Sequence, residues 1–143
     1  MTTATLDTAT QQGDFLLAGH ATLTVVSNVS GQRFTYQVRQ CDAKPTLYFV
    51  SVLTGSDNTS DYAYFGTLRT EHGVQYTHGS RAKVAADALS VQAFAWYAQH
   101  IGDARVTVYH EGRCGRCNRL LTVPESIVSG FGPECSKKLG AAA

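Results

Sequence analysis

Three of the four cysteines, Cys114, Cys117 and Cys135, lie in the last third of the chain, in the pattern C-x2-C, a 17-residue spacer, then C. Thiolates at such spacing are the ligands of structural zinc, which takes four sulfur or nitrogen donors in a tetrahedron. Gly115 lies inside the Cys114–Cys117 turn and Gly112 just before it. Glycine admits the positive φ that a tight knuckle often needs, so the pair presents two thiolates at low steric cost. Cys135 follows Gly132-Pro133-Glu134, which reads as a helix start with Pro133 at the first helical position. There the helix dipole, with Lys137 and Lys138 nearby, favours the charged thiolate.

The fourth ligand is expected to be His110, which ends the alternating run Val106-Thr107-Val108-Tyr109-His110 four positions before Cys114. Cys41 is the rival, 73 residues before Cys114. His20, His72, His78 and His100 have no local support as ligands. Free thiols or a redox pair are the competing readings. A redox C-x-x-C normally opens a helix in a βαβ setting, and here Gly and Arg flank it. A closed Cys3His set leaves no open position for water, so the expected zinc is structural rather than catalytic.

The 143 residues, 43% of them apolar, are enough for one ordinary domain. No apolar run approaches the roughly 20 residues of a membrane helix. Met1 to Gly13 carries neither the basic start nor the apolar centre of a secretory signal, which points to a reducing, cytoplasmic setting. Net charge is +1, split as −2 over residues 1–104 and +3 over 105–143. The excess comes from Arg105, Arg113, Arg116, Arg119, Lys137 and Lys138.

The elements that must hold the knuckle follow from periodicity. Residues 21–27 and 32–38 are β-rich and joined by Asn28-Val29-Ser30-Gly31, a hairpin. Phe34, Tyr36 and Val38 share one face of the second strand, with polar residues on the other. Residues 46–54, apolar on both faces, read as a central strand. Strands over 62–68 and 74–77 complete an antiparallel meander. A helix capped by Asp87 or Ser90 carries Val91, Phe94, Ala95, Ala98 and Ile101 on one face, widened by Trp96 and Tyr97, and stops at Gly102. The expected organisation is a disordered lead-in (1–13), an α+β domain (14–104), a zinc-binding module (105–140) and a disordered tail (141–143). The fold class is α+β: an antiparallel β-meander, one packed helix and a C-terminal treble-clef-like zinc knuckle.

The stretch from His110 to Cys135 resembles a family of unknown function common in actinobacterial and bacteriophage proteins. Its signature is C-x-R-C-x-R-x-L-T-x-P-E-S-I followed by G-x-G-P-x-C, matched here from Cys114 to Ile127 and from Gly130 to Cys135. The resemblance implies zinc and a phage or prophage origin, and implies no reaction. It departs from a true treble clef: the helix offers one cysteine rather than two, and Pro124-Glu125-Ser126 stands where a hairpin would.

Two binding functions and one enzymatic one compete. In the first, Arg113, Arg116, Arg119, Lys137 and Lys138 meet the phosphates of a nucleic acid, with Tyr109 or Phe131 stacking on bases. In the second, the chain is a protein-interaction module, such as an inhibitor of a host or defence factor, with Tyr48, Tyr62, Tyr64 and Trp96 as anchors. No nucleophile elbow, phosphate loop, H-E-x-x-H or dinucleotide fingerprint is present, so no enzyme is expected. The partner is a nucleic acid or a host protein, with no membrane. The sequence leaves the oligomeric state open.

Overall fold

A computed structural model describes residues 5–55, 60–111, 113–117 and 131. They form one seven-stranded antiparallel sheet with two helices. The strands are β1 (Thr5–Leu6), β2 (His20–Ser27), β3 (Arg33–Gln40), β4 (Leu47–Leu53), β5 (Tyr62–Arg69), β6 (Gln75–His78) and β7 (Val106–His110). Their spatial order is β1-β7-β2-β3-β4-β5-β6. The hairpin and the β2-to-β6 meander stand as the alternation foretells. The last strand inserts between the first two.

Alternation sorts the sheet into two faces. Ala21, Leu23, Val25, Tyr36, Val38, Tyr48, Val50, Val52, Leu68 and Val108 are buried on one of them. Helices α1 (Ala9–Leu16) and α2 (Leu89–Gln99) pack there, through Phe15 and Leu16 and through Val91, Phe94, Tyr97 and Ala98. Phe94 is fully buried, with its ring 4.8 Å from Tyr36 and 5.8 Å from Phe65. Burying a side chain of that size stabilises by about 2–3 kcal/mol.

Four expectations change. The lead-in is ordered from Thr5 onward, in β1 and α1, so two helices pack on the sheet rather than one. Its organiser is a capping box: Thr8 Oγ1 accepts from the Gln11 amide at 3.1 Å, and Gln11 Oε1 accepts from the Thr8 amide at 3.3 Å. The boundary at 104/105 does not separate units, because β7 is an internal strand of the sheet. Helix α2 begins after Ala88, with no side-chain cap from Asp87 or Ser90, and ends at Gln99. Gly102, at φ 90, turns the chain three residues later. Finally, β4 is internal but the described helices cover only one of its faces, and Phe49 on the other is 40% exposed. The loop residues Asp57 and Asn58 and the tail 141–143 lie outside the described residues.

Burial pushes the phenols of Tyr36 and Tyr97 well above the usual tyrosine range, and burial with Tyr64 nearby pushes Tyr76 up to about 12. These groups fold in their neutral form, so their contribution is complete below the unfolded value of 10.0 and is lost as pH rises beyond it. The urea midpoint is expected to fall as pH rises above about 10. A midpoint that stays level there contradicts the burial of these phenols.

Candidate functional site

β7 delivers the chain to the knuckle. Its last residue, His110, pairs with Leu23 of β2 and is only 4% exposed, its ring 5.7 Å from that of Phe15 on α1. Cys114 is fully buried within the hydrophobic core cluster. The Arg116 amide donates to Cys114 Sγ at 3.4 Å, a contact that favours the anionic sulfur a metal needs. Gly115 serves close approach rather than positive φ: a Cβ there would meet the Phe15 ring at 2.6 Å. Phe131, four residues before Cys135, packs on that same ring at 5.9 Å. Phe15 thus gathers His110, the knuckle turn and the approach to the third cysteine.

His20 is the residue that sequence reasoning missed. Its amide donates to the Gly115 carbonyl at 2.7 Å, and its Nδ1 lies 2.9 Å from the Arg116 carbonyl. A carbonyl only accepts, so Nδ1 carries the proton. These two bonds dock the knuckle on the start of β2. The partners are 96 residues apart, a separation that no local pattern announces.

Cys117 is exposed and Cys41 half-buried, its amide bonded to the Leu47 carbonyl at 2.8 Å in the β3–β4 connection. Cys135 lies outside the described residues, as do Gly112, Arg119, Lys137 and Lys138. Among the described residues no three His, Cys, Asp or Glu side chains converge closely enough to hold a metal ion. The donors the structure does place, a buried imidazole and a buried sulfur accepting an amide proton, are of the kinds zinc takes.

Arg113 and Arg116 are exposed. Arg116 also lines a polar cavity of about 440 Å³ with Gly19, His20, Arg39, Gln40 and Asp42. Two of the proposed contact aromatics are not available: Phe131 is 6% exposed beneath the knuckle, and Tyr48 is 5% exposed with its hydroxyl donating to the Leu17 carbonyl. Trp96 is half-buried, stacked on His100 at 4.3 Å with the Arg105 guanidinium 5.0 Å from its ring centre. Tyr62, Tyr64 and Tyr109 are half-buried on the uncovered face of the sheet.

Residues 104–140 match the model of a family of unknown function, DUF6011. The match covers about a quarter of the chain and takes in β7, an internal strand of the sheet, as well as the knuckle. No curated protein and no solved structure matches the chain significantly. No helix among the described residues is long and apolar enough to cross a membrane.

Proposed function

We propose that this chain is a non-enzymatic, zinc-containing binding protein of phage or prophage type, cytoplasmic, whose ligand is nucleic acid. The observation that carries the reading is the basic end of the sheet, where Arg116, His20 and Arg39 line one polar cavity and Arg113 stands exposed in the same knuckle. Guanidinium groups in such a setting bind phosphate oxygens. Zinc, held by His110, Cys114, Cys117 and Cys135, would tie the knuckle into one shape. A Cys3His site with zinc carries a net charge of about −1, which neighbouring arginines offset.

The test is binding of a labelled oligonucleotide over a range of salt. Affinity should fall linearly on a log–log plot, and the double variant Arg113→Ala, Arg116→Ala should flatten the slope by about 1 to 2. No salt-sensitive binding at all overturns the reading.

One observation favours protein interaction as the second reading. An apolar cleft of about 250 Å³ opens between α2 and the β2–β3 end of the sheet, lined by Val25, Phe34, Trp96 and Val106, with Val29 81% exposed at its rim. Under that reading Val29→Asp abolishes capture of a host protein and leaves nucleic-acid affinity unchanged.

A further inference from the structure

Among the described residues both helices cover one face of the sheet, and the other face carries an ordered row of side chains. In register across three strands lie His20 (β2), Arg39 (β3) and Phe49 (β4). One step along lie Thr22, Gln37, Ser51 and Tyr64. Strands are about 4.8 Å apart, so the basic cavity and the Phe49 ring are separated by only about 10 Å.

Three features mark this face as built to receive a ligand. Phe49 is 40% exposed although it sits in an internal strand, where burial would stabilise it; its ring meets Tyr64 edge-on at 6.2 Å and 65°. Tyr64 is held in place, since Gly79 lies against its ring so closely that a Cβ would come within 2.6 Å of the hydroxyl. A ring already fixed loses little freedom on binding. Arg39 is half-buried, held by the Ala21 carbonyl at 2.7 Å and the Thr22 hydroxyl at 3.4 Å. Burial holds its guanidinium below the ordinary arginine value, and among the described residues no carboxylate forms an ion pair with it. A half-buried cation in that state favours an incoming anion. Tyr62 lies farther along the same face, its hydroxyl buried beside Gln37 and near Glu111.

We propose that this uncovered face is a track for single-stranded nucleic acid, with phosphates at the Arg116–His20–Arg39 cavity and bases stacked on Phe49 and Tyr64. The proposal rests on the nucleic-acid reading above and narrows it. A duplex keeps its base faces stacked inside, out of reach of Phe49. A single strand offers them freely, and base–aromatic stacking tolerates any sequence. Asp42 at the cavity edge limits how many phosphates that end accepts. Gln37, half-buried one step along the same face, is placed to meet base edges.

The test uses the full chain and fluorescence anisotropy with oligonucleotides of about a dozen nucleotides: single-stranded DNA, single-stranded RNA and a duplex. Single strands should bind about tenfold or more tighter than duplex. Phe49→Leu and Tyr64→Leu should each weaken single-strand binding about tenfold with the salt slope unchanged, while Phe49→Trp preserves or raises affinity. Phe49 is exposed, so its variants should melt as the parent does, and Phe49→Trp shows whether an aromatic ring itself is what the ligand needs. Equal binding of single strands and duplex, unaffected by the leucine variants, overturns the track and leaves the arginine-based reading standing. Absence of binding to any of the three probes overturns both.

Discussion

On the proposed zinc site, Cys114→Ala is expected to release the metal and lower the unfolding free energy by about 3 kcal/mol or more. Two effects add. The side chain is fully buried in the core cluster, so truncation leaves a void there. The loss of one thiolate also opens the coordination set, and structural zinc in small modules supplies most of their folding free energy. Here the loss should be partial, because β7 is held by its own backbone pairing to β1 and β2. Far-ultraviolet circular dichroism should therefore keep its β signal while limited proteolysis begins beyond residue 111. His110→Ala should reproduce the metal loss. Cys41→Ser should keep full zinc and change stability by less than about 1 kcal/mol. Zinc lost from Cys41→Ser and kept in His110→Ala would exchange the two as fourth ligand.

Gln12→Ala is expected to cost about 3–4 kcal/mol, more than any exposed substitution in the sheet. Gln12 is 4% exposed, and its amide makes three hydrogen bonds that tie α1 to β1, α2 and the turn after α2. Its Nε2 donates to the Leu6 carbonyl at 2.9 Å, and its Oε1 accepts from Tyr97 Oη at 2.8 Å and from the Gly102 amide at 3.1 Å. Truncation strands the buried Leu6 carbonyl and Tyr97 hydroxyl and the half-buried Gly102 amide at once, each buried group costing about 1–3 kcal/mol before relaxation. Tyr97→Phe removes one bond and should cost about 1–2 kcal/mol. Urea denaturation of the two single variants and the double measures the coupling. A double variant equal to the sum of the singles contradicts a shared network.

The strands were readable because their residues alternate. The Phe34, Tyr36, Val38 face is the one that packs, and the hairpin turn stands where Asn28-Val29-Ser30-Gly31 places it. Helix α1 was obscured by a short, weakly apolar sequence containing Gly13, and the decisive signal was the pair Thr8 and Gln11 rather than periodicity. The run over residues 46–54 misleads because neither described helix covers its second apolar face, where Phe49 is exposed. Burial of that face is decided by whether helices cover it, which no strand sequence encodes. At the knuckle, residue types point to the cysteines and His110 as candidate ligands, while the contacts of Phe15 and His20 depend on chain closure over about a hundred residues and leave no local trace. Phe131 looked like a stacking residue by type and is instead the packing partner of Phe15.

X-ray absorption at the zinc edge, on freshly purified protein with metal content measured alongside, tests the central claim most directly. The account predicts one zinc per chain with a shell of three sulfurs at about 2.3 Å and one nitrogen at about 2.0 Å. A metal-free protein that is fully folded through the knuckle, or a zinc surrounded by oxygen alone, would contradict it.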